Sequence, residues 1–277
     1  MMQQKALVDL QAMANQIRLD VMKMVYEAQD GHPGPAFSAA DMITALYFKE
    51  MNINPAEAGW PDRDRFVLSK GHACPALYAA LARRGYFPTT EFDGLRKMGR
   101  MLQGHPDMNK TPGIDMTSGS LGNGLSLAVG MAIAAKYRGK SYYTYTIMGD
   151  GELQEGLVWE AAMCASKYKL NNLIAFVDHN GWQSGDKVET VSGLLPLLPK
   201  WQAFNWYCQV IDGHDFVQIS EAVENAKQSE KPSVIIANTI KGKGLSFMEN
   251  DNSWHKRIPT AEQLATANEV LGGIVNG

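Results

Sequence analysis

The segment YYTYTIMGDGELQEG, residues 142–156, joins a β-branched and aromatic run to an aspartate held between two glycines, Gly149-Asp150-Gly151. A second junction, NLIAFVDHNGW, ends an apolar run at Asp178-His179-Asn180-Gly181, with 28 residues between Gly151 and Asn180. In open parallel sheets, ligands bind beyond the carboxyl ends of the strands. Neighbouring strands would set Asp150 opposite Asn180 there. A carboxylate, an amide carbonyl and one main-chain carbonyl form a part-filled shell of hard oxygens. Such a shell suits magnesium, completed by phosphate oxygens and water. The flanking glycines permit positive φ and close approach of the backbone to a ligand. A helix opening near Leu153 would add polarised amides that favour phosphate. Taken singly, Gly-Asp-Gly and Asn-Gly are ordinary turn sequences. Their matched position at two strand ends is what points to a cation–phosphate site.

Six histidines occur, four of them in turn-like segments: His32 in GHPG, His72 in SKGHACPALYA, His105 in QGHPD and His255 in NSWHKR. A lone loop histidine is commonly a solvated surface residue. Four converging on one mouth would instead make a row of groups that donate and accept near neutral pH. That suits sugar hydroxyls or proton transfer. Other motifs carry less. Gly119-Ser-Leu-Gly122-Asn-Gly124 has the wrong order for a dinucleotide fingerprint, and no clear strand precedes it. KGKGLS follows a strand but is no P-loop; its Lys241 and Lys243 could contact phosphate, and a solvated turn is the favoured reading. HExxH and paired CxxC are absent.

The elements that must position these residues alternate. Leu7, Leu10, Ala14, Ile17, Val21, Met24 and Val25 predict an amphipathic helix over 4–28, stopped by Gly31. Ser38 to Asp41 resembles a capping box opening a second helix through Tyr47. A strand is predicted at Arg65 to Leu68, a helix from Pro75 to Arg84 closed by Gly85, and another over 123–137. Strand 142–148, helix 153–168 and strand 173–178 form a βαβ unit, with 181–200 as loop. NWYCQVID and SVIIANTI are two further strands around a helix at 218–228. The fold class is α/β: a mostly parallel sheet with helices on both faces. With no domain-splitting linker or repeat, 1–277 is expected to be a single domain.

Composition excludes several classes. A net charge of -3 leaves no electrostatic footprint for nucleic acid or an anionic membrane. No uncharged apolar run approaches the roughly 20 residues of a membrane span. Cys74, Cys164 and Cys208 are an odd, scattered set without metal-ligand spacing, and MMQQKALVDL is not a signal peptide. A cytoplasmic location is therefore expected.

GDG, about 28 residues and then Asn resembles the diphosphate–magnesium motif of thiamine-diphosphate enzymes. GHPG, SKGH, GHPD, TSGSLGNG and GDG…N run in that order from residue 31 to 180, which tightens the resemblance to the N-terminal, diphosphate-binding part of transketolase. It implies the thiamine-diphosphate-binding fold. It also implies that Asp150, Asn180 and the main-chain carbonyl of Trp182 hold magnesium or another divalent cation such as calcium, while Gly151 approaches the diphosphate. His32 and His105 would contact the sugar, His72 and His255 would lie near diphosphate or substrate, and Gly119 and Leu121 would line the cofactor. Glu155 and Glu160 would belong to an acidic network at a dimer interface, or to a plain solvated helix face. Departures are Ser120 and Asn123 where the family usually has Pro and Gln, and the missing glycine after His255. IKGKGLSFMEN is closer to related synthases and 2-oxoacid dehydrogenases.

Transketolases of ordinary architecture run to more than twice this length. The resemblance therefore implies a split enzyme, in which a second chain supplies the pyrimidine-binding and C-terminal domains and the glutamate that activates the cofactor. The implied assembly is a two-plus-two heterotetramer transferring a two-carbon ketol unit from a ketose to an aldose. Two alternatives stay open: the diphosphate-binding subunit of a 2-oxoacid dehydrogenase or decarboxylase, and a non-catalytic regulatory protein that keeps the fold. The histidine set weighs against the first, because 2-oxoacids need no row of hydroxyl contacts.

Overall fold

The computed structural model describes residues 2–275, and the side chains of residues 10–273. Its strands are β1 (Arg65–Leu68), β2 (Thr144–Gly149), β3 (Leu173–His179), β4 (Tyr207–Asp212) and β5 (Ser233–Asn238). They form a parallel sheet in the order β1-β2-β3-β5-β4. Around it lie α1 (Met2–Ala28), α2 (Pro33–Ala45), α3 (Cys74–Arg84), α4 (Asn123–Tyr137), α5 (Gly156–Lys167), α6 (Val188–Val191), α7 (Leu197–Ala203), α8 (Phe216–Gln228) and α9 (Ala261–Val275).

β2, β3 and β5 are buried along nearly their whole length because both faces of the sheet are covered there, while the edge strand β4 is largely half-exposed. Phe66, Leu68, Tyr145, Ile147, Ile174, Phe176 and Ile235 pack into one core with α1, α2, α3 and α8. Val67, Met148, Leu173, Ala175, Val177 and Val234 point the other way, against α4, α5 and α7. The expected α/β architecture is therefore observed. Of the apolar positions expected to anchor α1, Leu7 lies outside the residues whose side chains are described.

Several boundaries differ for identifiable reasons. The first helix ends at Ala28, and Gln29, not Gly31, follows it with a φ of 51°. α2 begins at Pro33, whose fixed φ suits a first helical turn, so Ser38 and Asp41 are interior and do not cap. Long-range partners claim both. Ser38 Oγ lies 2.5 Å from Asp178 Oδ2, and Asp41 joins Arg18 and His214 in a buried cluster. After β2, a 3₁₀ turn (Gly151–Gln154) comes first, and α5 opens at Gly156, not near Leu153, because Glu155 is extended. The segment 181–200 is not plain loop, since it holds α6 and the start of α7. α9 has no counterpart among the elements predicted from the sequence; its buried Ala267 and Leu271 pack with α1.

Candidate active site

The register Gly149↔Asp178 brings the carboxyl ends of β2 and β3 side by side. Asp150 follows one strand and Asn180 the other. Asp150 is buried, and its Oδ1 accepts from the Gly151 amide at 2.8 Å and its Oδ2 from the Gly181 amide at 2.6 Å. One carboxylate thus ties both turns together. Asn180 Oδ1 accepts from the Trp182 amide at 3.0 Å, and its Nδ2 faces Asp178 Oδ2 at 3.4 Å. Gly151 is packed so closely that a Cβ there would stand 2.7 Å from Gln183 Cβ. Burial, and then the charge of Asp178, pushes the Asp150 carboxyl up to about 6. A bound cation would relieve both effects.

Behind this pair lies a buried ionic layer: Lys70 and Asp178 sit within the SKGH and DHNG segments, but nothing in either segment signals that they pair. Burial alone would raise the Asp178 carboxyl, but the Lys70 ammonium, with hydrogen bonds from Lys70, Ser38 and Thr239, holds it below the usual range. Lys70 Nζ also donates to the Pro35 carbonyl at 2.8 Å, which links β1, β3 and the first turn of α2. Glu152, also buried, accepts from the amides of Gly122 at 2.8 Å and Gly149 at 3.0 Å and from Ser69 Oγ. Its only sequence signal is its place two residues after Asp150.

A cleft of about 320 Å³ opens over these groups. His32, His72, Gly119, Leu121, Asp150, Gly151, Asn180, Trp182 and His255 all line it, as does Glu155 at its edge. The rings of His32, His72 and His255 form a cluster with centroids 5.2–5.6 Å apart. His105 stands outside that triplet, exposed, with its ring against Gly119. Glu160 is on the exposed face of α5, away from the cleft lining. Of the remaining histidines, His214 is built into the Asp41 cluster and His179 pairs with Asn238.

Lys241 corrects an expectation. It is not in a solvated turn: it is 1% exposed and lines the cleft. Its Nζ donates to Asn252 Oδ1 at 2.6 Å and lies 3.1 Å from His255 Nδ1. Burial, and then Lys70, lowers it to about 8. Lys243 is the half-exposed one, 3.9 Å from Glu249.

Burial also lowers each clustered histidine: His32 to about 4 with help from Arg96, His255 to about 3 with help from Lys241, and His72 well below its ordinary value with help from Lys70. All three rings are neutral at pH 7. Because their folded values are depressed, the stability they contribute is complete above about pH 6.5 and drains as pH falls through about 4. An NMR titration of the metal-free chain should place the midpoints of His32 and His255 below 5. A midpoint above 6 for either would contradict this electrostatic picture.

The donor set fits a metal–diphosphate group. Lys241 is a buried cation with no carboxylate within ion-pair distance among the described residues, and Gln183 Oε1 on the cleft wall is buried without a partner. On the cation side stand the Asp150 carboxylate and the Asn180 amide, with Trp182 lining the same cleft. Among the described residues no cluster of three or more His, Cys, Asp or Glu side chains is arranged to hold a metal. The geometry therefore suits a hard cation that phosphate oxygens and water complete, not a thiolate or multi-histidine centre.

Comparison with known proteins identifies the family. Residues 10–274 match the family "Transketolase, thiamine diphosphate binding domain". A 6-deoxy-6-sulfo-D-fructose transketolase subunit, SqwG, from Clostridium sp. (strain MSTE9) is 49% identical over 94% of this chain and 95% of its own length. One subunit of the apulose-4-phosphate transketolase of Phocaeicola vulgatus is 41% identical, with coverages of 94% and 92%. Homo sapiens transketolase is 40% identical over 94% of this chain but only 42% of its own. The crystal structure of Campylobacter jejuni transketolase superimposes with a TM-score of 0.90 at 32% identity, covering 95% of this chain and 43% of that one. The chain thus spans less than half of these long transketolases and nearly all of both subunits. By the family match over residues 10–274 and the fold it shares with solved transketolases, the chain belongs to the transketolase family, to its thiamine diphosphate binding domain.

Proposed function

We propose that this chain is the diphosphate-binding subunit of a two-chain transketolase that moves a two-carbon ketol unit from a ketose, carrying phosphate or another anionic end, to an aldose. Residues 1–277 act as one diphosphate-binding domain. Asp150, Asn180 and the Trp182 carbonyl hold magnesium, or calcium in its place, and Gly151 and Lys241 face the diphosphate. Thiamine diphosphate, when bound, supplies the electron sink for breaking a ketose carbon–carbon bond. His32, His72 and His255, neutral and clustered, exchange hydrogen bonds and protons with substrate hydroxyls, while His105 meets the sugar from the rim. Gly119 and Leu121 shape the wall of the cofactor cleft.

The observation that carries this reading is the meeting, in one cleft, of Asp150 and Asn180 at paired strand ends with a buried Lys241 and three neutral imidazoles. Trp182 lines the same cleft and offers a fluorescence signal. Titration with thiamine diphosphate should quench it saturably when magnesium is present and fail when a chelator is added. No binding with either magnesium or calcium would count against the reading.

The partner is a second chain carrying the pyrimidine-binding and C-terminal domains and the activating glutamate, in a two-plus-two assembly. Its docking face is α4 with α5. No residue from Asn123 to Ala135 is charged, yet Leu127, Met131, Ile133 and Ala134 are only half-buried and Gly130 and Tyr137 are exposed. Met163 on adjacent α5 is 54% exposed. Leu121 and Glu155, at the starts of these helices, reach the cleft, so a chain docked here would complete it. Glu155 and Glu160 would meet that chain. Gly130→Arg tests the face: a Cβ there meets nothing within 4 Å, so folding should be unchanged. Light scattering should show assembly lost, and co-elution at wild-type mass would refute this face.

The location proposed is cytoplasmic, supported by three free cysteines. Among the described residues no helix is long and apolar enough to cross a membrane.

A further inference from the structure

Arg96 stands behind His32 and not among the residues that line the cleft. It follows the 3₁₀ turn Thr89–Gly94 with its backbone in the left-handed region, φ 59°, which a non-glycine residue adopts at a cost. Its amide donates to the Leu102 carbonyl at 2.8 Å, fixing that conformation. The guanidinium has three acceptors around it: Asp30 Oδ2 at 2.9 Å, the Gly104 carbonyl at 3.3 Å and His32 Nδ1 at 3.5 Å. Contact with the Gly104 turn is close, since a Cβ at Gly104 would stand 3.0 Å from Arg96 Cζ.

A guanidinium carries five N–H donors and no acceptor. The His32 nitrogen that faces it is therefore the lone-pair nitrogen, and the ring proton sits on Nε2. Gly104 directly precedes His105, so the same guanidinium also holds the GHPD turn against the GHPG turn.

We propose that Arg96 is a positioning residue: it holds His32 as the Nε2–H tautomer, presenting a hydrogen-bond donor to a sugar oxygen in the cleft, and sets the His105 turn in register with it. The role toward substrate rests on reading His32 as a sugar contact; the tautomer assignment does not. The groups that face His32 are Arg96, Lys256, Asp30, His105 and the rings of His72 and His255. Lys256 is itself paired with Asp30 at 3.4 Å, and none of the others brings a fixed donor to His32 Nδ1.

The test is ¹⁵N NMR of the full chain with histidine-selective labelling at pH 7. His32 should show a protonated Nε2 and an unprotonated Nδ1 in the wild type. Arg96→Met, which keeps the bulk but has no donor, should convert that signal to a tautomer mixture, and Arg96→Lys should restore it in large part. With the partner present, Arg96→Met should raise KM for the ketose about tenfold, as expected for one lost hydrogen bond, while leaving thiamine diphosphate affinity unchanged. A wild-type His32 protonated on Nδ1 overturns the proposal, and that spectrum decides even if the variant does not fold. An unchanged tautomer in Arg96→Met overturns it equally. A shifted tautomer with unchanged KM upholds the positioning role and instead refutes His32 as the sugar contact.

Discussion

Asp150→Asn is expected to abolish metal-dependent binding of thiamine diphosphate and to lower turnover of the assembled enzyme by about three orders of magnitude or more, comparable to deleting a key electrostatic group. The same variant should be more stable than wild type when no metal is present. The sign follows from the raised carboxyl. A group lifted from 3.8 to about 6 on folding favours the folded state only while protonated. Its stabilisation is present below pH 3.8 and lost as pH rises through about 6, so at pH 7 the metal-free fold carries the charge at a cost of up to about 3 kcal/mol. Asparagine removes the charge and keeps an oxygen for one of the two amides that Asp150 holds, so the gain is that cost less about 1 kcal/mol for the amide hydrogen bond lost. Thermal melts at pH 7 should therefore rank metal-free Asp150→Asn above metal-free wild type, and added magnesium with thiamine diphosphate should reverse the order. A variant that melts lower than wild type in the absence of metal would show that Asp150 is a structural turn residue.

The second large effect belongs to the layer beneath. Lys70 and Asp178 are both almost fully buried, and each is the other's counter-charge. Lys70→Met should leave Asp178 uncompensated and destabilise the chain by about 3–5 kcal/mol. The double variant Lys70→Met/Asp178→Asn should recover much of that loss, because a neutral amide can accept from Thr239 through its oxygen and donate to the Ser38 hydroxyl through its NH2. Urea unfolding of the two variants and wild type measures this directly. A single variant within 1 kcal/mol of wild type would mean that water reaches Asp178, contrary to its burial.

The juxtaposition of Asp150 and Asn180 was legible because it rests on local rules: β2 and β3 are consecutive strands, their ends carry these two residues, and neighbouring parallel strands put such ends together. The histidine cluster was legible as a set of turns, although only His32, His72 and His255 meet as rings and His105 stays at the rim. Lys241 was not. Its burial depends on the 240–255 segment folding back on α2, where the Gly242 amide reaches the Gly34 carbonyl at 3.2 Å, and no local pattern encodes that contact. Lys70 is hidden in the same way, since its partner lies 108 positions away. Ser38 and Asp41 misled for the converse reason: their spacing imitates a helix cap, while their side chains serve distant partners.

The central claim is that this chain supplies the metal–diphosphate half of an active site completed by another chain. Its most direct test is ketol transfer measured with the purified chain alone, with a chain carrying the pyrimidine-binding domain alone, and with both. Two-carbon transfer from a ketose phosphate is predicted only in the mixture, dependent on thiamine diphosphate and magnesium and lost with Asp150→Asn. Assembly of the two chains with no transfer to any aldose, or transfer that survives Asp150→Asn, would contradict it.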